Sequence, residues 1–236
     1  MKITLLTGKT FDIKRDLGFD IIVRTSPQAK KLSLRVDSKA RMPALTIPKY
    51  CSKKKAVAFV KDNILWLERQ LQKLPETKPF QDKDKISLFG QIYKIKHNPK
   101  TRSGVFIQDN IIYVSGDAEF LSRRVKDFIK TEAKKHFLSL SRRKAKRIDC
   151  QVNNVVIKDT RSRWGSCSTN NNINYNWRIA LAPTEVIDYI VSHEVAHLEH
   201  QDHSRNFWNC VKKLCPKYLV GKNWLKTSSK ELYIYE

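Results

Sequence analysis

The chain has 236 residues, 41% of them apolar, with ten Phe, eight Tyr and five Trp, enough to bury a sizeable core in one or two domains. Lys and Arg number 46 against 23 Asp and Glu, a formal net charge of +23, and a field of that sign attracts polyanions. No stretch reaches the roughly 18 apolar residues of a spanning helix, and the apolar run in MKITLLTGKTFDIK stops at Gly8, too short for a signal peptide. Five widely spaced Cys without a CxxC pair fit a reducing compartment, so a cytoplasmic protein with no membrane partner is expected.

From Phe19 to Ile47, the runs IIVRT, KLSLRV and ALTIP alternate apolar and polar residues and predict strands. Ser52 is placed to cap one helix running through AVAFVKDNILWLERQLQKL, where Val57, Val60, Ile64, Leu67 and Leu71 recur at helical spacing. After a polar connector, ISLFGQIYKIKH, GVFIQD and NIIYVS predict two or three further strands, with Asp109-Asn110 as a hairpin turn. AEFLSRRVKDFIKTEAKKHFLSLSRRKAKR predicts a long helix with Leu121, Val125, Phe128, Ile129, Phe137 and Leu140 on its buried stripe. VNNVVIKDT and WGSCSTNNNINYNWRI predict strands around a turn-rich loop, Ser168 to Asn172. Pro183 opens a helix that sets Val186, Ile190, His193 and His197 on one face. Phe207, Val211 and Leu214 have core spacing, and KELYIYE alternates as a terminal strand would. The sum is an α+β chain, with a β-rich region and one long helix over 1–118 and a metal-binding domain over 119–236.

The chemistry concentrates in SHEVAHLEHQDHS. His193 and His197 lie one turn apart on one helical face, where two imidazoles can hold one Zn²⁺, and Glu194 stands beside them as a base for a water. A third ligand must follow. Of the later Glu residues, Glu199, Glu231 and Glu236, Glu199 is on the wrong face and Glu231 falls in the expected terminal strand, so His203 ranks first, with His200 and Asp202 as rivals. The five-residue gap to His203 has metzincin spacing, yet His200 stands at the Gly position and the only Met residues, Met1 and Met42, lie far upstream of any Met-turn.

SRWGSCS (Ser162 to Ser168), INYNWRIALAP (Ile173 to Pro183), VIDYIVSHEVAHLEHQDHSRNFW (Val186 to Trp208) and CPKY (Cys215 to Tyr218) together resemble the YgjP-like metallopeptidases, bacterial zincin-like proteins related to the WLM and SprT-type proteases. The resemblance covers nearly the whole chain, and its specific part runs from Arg161 to Tyr218. Val195, Asp202 and Lys217 depart from the family pattern without touching a ligand position. The resemblance implies a zincin-like fold, zinc ligands His193, His197 and His203, and Glu194 as catalytic carboxylate. The residues alone give the same assignment.

The expected function is therefore that of a zinc-dependent hydrolase with one Zn²⁺ per chain, a metallopeptidase acting on a peptide or protein. Zincins add an extended peptide to a strand beside the active-site helix, and INYNWRI is the expected strand. Arg163, Asn176 and Tyr189 are candidate substrate-binding residues, with Asn174 beside them. Tyr189, Arg163 and His200 are the options for stabilising an oxyanion, and Asp188, five residues before His193, for a hydrogen-bond partner behind a metal ligand. Cys167 has a second reading as a nucleophile, less favoured than packing because a complete zinc set already explains the His residues. Two rival functions stand: a nucleotide or phosphoanhydride hydrolase on the same metal site, and a basic nucleic-acid-associated zinc protein. Nothing in the sequence sets an oligomeric state.

Overall fold

The structure, a computed structural model, describes residues 3–4, 10–11, 16–100, 103–160 and 163–235. Met1, Gly8, Arg161, Ser162 and Glu236, which entered the sequence reading, lie outside that set. Two compact units divide the chain, Met1–Glu76 and Thr77–Glu236. The sequence placed the join near residue 118. The strands before that point share a core with the helix after it: Ile86, Leu88, Ile95, Ile112 and Val114 are buried in one cluster with Leu121, Val125, Ile129 and Phe137.

In the first unit, a short antiparallel pair, β1 (Ile3–Thr4) and β2 (Thr10–Phe11), precedes a three-stranded sheet. Its strands are β3 (Ile22–Ser26), β4 (Ser33–Asp37) and β5 (Met42–Pro48), in the order β3-β5-β4. β5 pairs parallel with β3 and antiparallel with β4. Leu45 and Ile47 of β5 form a core with Ala56, Val60 and Leu67 from two helices, α1 (Lys53–Asp62) and α2 (Ile64–Gln72). The Ser52 hydroxyl accepts the Lys55 N–H at 3.3 Å, the cap the sequence predicts. The single helix expected beyond it breaks at Asn63, whose Nδ2 donates to the Phe59 carbonyl at 2.8 Å and whose backbone leaves the helical region (φ −109°, ψ 14°). An Asn side chain competing for backbone groups is the physical reason for the break.

The second unit opens with a four-stranded sheet, β6 (Lys85–Leu88), β7 (Gln91–Asn98), β8 (Val105–Gln108) and β9 (Ile111–Ser115), in the order β6-β7-β9-β8. ISLFGQIYKIKH, read as one strand, folds back at Phe89-Gly90, where both residues have positive φ (54° and 83°). Asp109-Asn110 makes the second hairpin turn with φ of 49° and 59°, as two-residue hairpins demand. Helix α3 (Leu121–Ala145) crosses this core, and the stripe expected from spacing is buried, with Phe128 half-buried.

A second sheet contains β10 (Asn154–Lys158), β11 (Gly165–Cys167) and β12 (Asn172–Asn176), in the order β10-β12-β11. WRI after β12 leaves the sheet as a 3₁₀ turn, Trp177–Leu181, with Asn176 Oδ1 accepting the Arg178 N–H at 3.0 Å. Then come α4 (Thr184–Ala196), α5 (Arg205–Leu214) and α6 (Tyr218–Thr227). KELYIYE is not a strand: Ser229–Tyr233 forms a 3₁₀ turn and Tyr235 makes one isolated bridge with Lys78.

Three devices fix α4. The turn of the first hairpin packs on its start, since a Cβ on Gly90 would fall 2.0 Å from Thr184 Oγ1. α6 lies close along it, since a Cβ on Gly221 would fall 2.5 Å from the Glu185 carbonyl oxygen and 2.7 Å from Tyr189 Cβ. From α3, the buried Lys144 ammonium pairs with Asp188 at 2.6 Å and donates to the Leu214 carbonyl at 3.0 Å, which ties α3, α4 and the end of α5 together.

Candidate metal centre

α4 is apolar on most of its surface, with Val186, Ile187, Ile190, Val191, Val195 and Ala196 buried, so it runs through the core and not along the outside. It ends at Ala196 with His197 as its cap, and the chain turns: His200 N–H bonds to the Ala196 carbonyl at 3.0 Å and Gln201 Nε2 to the His197 carbonyl at 2.6 Å. That turn carries His203 back over the helix. One ring nitrogen from each of His193, His197 and His203 lies within 4.8 Å of the other two. His203 Nε2 is 3.2 Å from His193 Nε2. Phe207 packs beneath all three imidazoles, 4.9, 4.5 and 4.7 Å away between ring centres.

The protonation states suit a cation. Burial, helped by the neighbouring imidazoles and Lys222, pushes His193 down to about 3, and burial also lowers His197. Both are neutral near pH 7 and offer a lone pair. His197 Nδ1 donates to the His200 carbonyl at 3.0 Å, which leaves Nε2 as the free acceptor, the tautomer that metal-binding His residues adopt. The donor set is all nitrogen, a set suited to zinc and other borderline metals. The three side chains therefore fit a metal ion.

Glu194 is buried, 5% exposed, and its carboxyl lies against the backbone of β11. A Cβ on Gly165 would sit 2.5 Å from Glu194 Oε1. Burial pushes the carboxyl up to about 8, and the Arg163 guanidinium pulls weakly the other way. A carboxyl in that range can both hold and release a proton near neutrality.

A cleft of about 220 Å³ opens beside the pair, lined by Arg163, Trp164, Gly165, Tyr189, His193 and Glu194, with Ile190 and Leu225. Arg163 and Tyr189, two of the candidates from the sequence, both line this cleft. Tyr189 meets the His193 ring edge-to-face at 5.9 Å. Asn176 does not reach this cleft. It is 1% exposed, its Nδ2 donates to the Thr160 carbonyl at 2.8 Å and its Oδ1 caps the following turn, so both ends of the amide are taken by the chain.

His200 turns away, with its ring 3.7 Å from Glu199 and lining a different hollow. Asp202 is exposed and accepts the Ser204 N–H at 3.3 Å. Neither joins the three-His cluster. Asp188 bonds to Lys144, not to a histidine. Cys167 is pushed up to about 11 by burial and by the Glu194 charge, and its thiol points to the Ser168 carbonyl, so it has none of the activation a nucleophile needs.

The strand chosen for peptide docking is also different. β12, with INYN, is central and paired on both sides, so it has no edge to offer. β11 is the edge. Asn176 N–H bonds to the Trp164 carbonyl and Ser168 N–H to the Asn172 carbonyl, both at 2.9 Å, so Trp164 and Ser168 face β12. By the antiparallel alternation, the main-chain groups of Gly165 and Cys167 face outward, next to Glu194.

A model of the YgjP-like metallopeptidase domain matches residues 30–228. The chain belongs to the YgjP-like metallopeptidase family. This matches the α+β fold and a hydrolase activity dependent on a metal. Among solved structures, the metallopeptidase zymogen abylysin of Pyrococcus abyssi is similar at 22% identity, over 39% of this chain and 94% of its own, with a TM-score of 0.34. That likeness is too loose to carry an argument. No curated protein matches the chain.

Sequence reasoning missed Gly165, Lys222 and Leu225. Gly165 was legible only as part of RWGSC. Lys222, whose ammonium lies 3.8 Å over the Trp208 ring, sits on a helix beyond the motif and carries no pattern of its own.

Proposed function

We propose that this YgjP-like protein is a zinc peptidase in which His193, His197 and His203 hold one Zn²⁺ and Glu194 moves the proton. The observation that carries the reading is the convergence of three imidazoles, two from α4 and the third from the turn that follows it, beside the buried Glu194 carboxyl. When bound, zinc supplies Lewis acidity that polarises the scissile carbonyl and acidifies water.

The chain's own groups supply the rest. The outward main-chain groups of Gly165 and Cys167 add an extended peptide to β11 as one more strand, which lays its backbone across the cleft. Glu194 takes the proton of the attacking water and returns it to the leaving amine, a role that general acid–base groups fill for about 10²–10⁴-fold in rate. Arg163 and Tyr189 line the same cleft and serve as donors to the developing oxyanion. Burial holds Tyr189 protonated, pushed up to about 12, so its hydroxyl is a donor at any working pH.

The test is hydrolysis by the zinc-loaded protein of an unstructured protein and, side by side, of nucleoside triphosphates. Cleavage of the protein substrate, lost in Glu194→Gln while zinc is retained, is the expected result. Release of phosphate or pyrophosphate with no peptide cleavage would assign the site to the rival phosphoanhydride chemistry.

A further inference from the structure

The first unit carries 17 Lys and Arg against seven Asp and Glu, and part of that excess is focused. Residues of the turn after β3, the turn after β5 and the first turn of α1 enclose a cleft of about 870 Å³. Four exposed ammonium groups line it, Lys30, Lys31, Lys49 and Lys55, and no carboxylate does. None of the four has an ion-pair partner among the described residues, whereas the adjacent Lys53 is neutralised by Asp16 at 2.6 Å. Like charges gathered from three separate segments repel one another, and the fold gains nothing from placing them together.

The local sequence breaks a helix rule at the same place. The start of a helix is its positive end and favours acidic residues, yet α1 opens with Lys53, Lys54 and Lys55 and has no acidic residue in its first turn. Such conflicts between local preference and sequence mark functional positions. The cleft also holds an aromatic platform: Tyr50 is 90% exposed, with Phe59 deeper in the lining. The Lys49 ammonium lies 5.5 Å from the centre of the Tyr50 ring, and a ring this exposed keeps surface available for stacking.

We propose that this cleft binds single-stranded nucleic acid, with the four lysines on successive phosphates and a base stacked on Tyr50. Lysine is a point charge and suits sequence-independent contact with a phosphate backbone. Exposed aromatic rings set among lysines are the other half of single-strand recognition, since every base has a face to stack. An acidic peptide would use the lysines and leave Tyr50 idle. The volume lies within the roughly 300–1,000 Å³ range of ligand pockets and suits a few nucleotides of one strand, not the outside of a duplex. The proposal stands on residues remote in sequence from the metal centre and does not depend on the peptidase reading.

The experiment is fluorescence anisotropy of a labelled 20-nucleotide oligothymidine with the full-length protein at several salt concentrations. Three variants are compared: Lys30→Gln with Lys31→Gln, Lys49→Gln and Lys55→Gln; a control with Lys94→Gln, Lys96→Gln, Lys100→Gln and Lys134→Gln in the second unit; and Tyr50→Ala. Circular dichroism checks that each is folded, and all the replaced side chains are exposed. The cleft variant is expected to lose at least tenfold in affinity and to lower the salt slope by about 2–3, near 0.7 for each phosphate contact removed. The control should change by less than threefold. Tyr50→Ala should weaken binding by at least fivefold with the salt slope unchanged. Equal losses in the cleft and control variants would mean diffuse charge and overturn the proposal. So would the absence of binding by the wild type, or a polyglutamate of equal charge competing as well as unlabelled oligothymidine.

Discussion

Gly165 on the edge strand and Glu194 on the histidine helix touch so closely that no side chain fits between them. A Cβ at 165 would lie 2.5 Å from Glu194 Oε1 and 2.6 Å from its Cγ and Cδ. The strand that is proposed to receive the substrate is also the wall against which the proposed base rests. Gly165→Ala is therefore expected to keep zinc and fold while losing activity about 10²-fold, because the carboxyl must swing away from the water it serves. Measurement of kcat/KM beside metal content checks this. Activity within twofold of wild type would show that Glu194 has room to spare.

Burial of Glu194 makes the metal-free protein sensitive to alkali. Its carboxyl titrates near 8 when folded and near 4.5 when unfolded, so between those values the folded state holds a proton that the unfolded chain has released. The stability this contributes is complete below pH 4.5 and is lost as the pH rises through 8. Gln has no proton to release. After chelation, Glu194→Gln should melt near the wild type at pH 5 and well above it at pH 9, by a few kcal/mol or roughly 5–10 °C. A gap that does not widen with pH would contradict the buried carboxyl.

The sequence made much of this legible because its signals are local. The first three strands, the Ser52 cap, the Asp109-Asn110 turn and the stripe of α3 are all signalled by a few neighbouring residues, and all are found in the structure. Where the expectation failed, the deciding contact is distant. Nothing near INYN tells a central strand from an edge strand, since both sides are filled by segments elsewhere in the chain. Asn176 resembles a ligand-facing polar group until the Thr160 carbonyl is found at its amide. Asn63 could have been suspected as a helix break from its type alone, but the pattern of apolar residues runs on through it.

Lys144 and Asp188 should respond unequally to removal of their partner. The ammonium is 6% exposed and the carboxylate 38%, so losing Asp188 strands a buried charge whereas losing Lys144 leaves one that water reaches. Asp188→Asn is expected to cost about 3–5 kcal/mol and Lys144→Met distinctly less, because the aliphatic stem is kept. Urea titrations of both variants provide the comparison, and equal costs would rule out this asymmetry.

Cys167 should prove inert. With the thiol pushed up to about 11, alkylation by iodoacetamide at pH 7.5 should run far more slowly than for an unperturbed cysteine, and Cys167→Ala should keep most of its hydrolytic activity. Rapid labelling that abolishes activity would revive the cysteine nucleophile.

The central claim is that three imidazoles, His203 among them, hold one zinc. Elemental analysis of the purified protein beside His203→Ala tests it most directly. The expected result is one zinc per chain in the wild type, held through dialysis, and loss of both the metal and hydrolysis in the variant. Zinc retained at full occupancy after the substitution, or a wild type that cannot be loaded, would contradict the account.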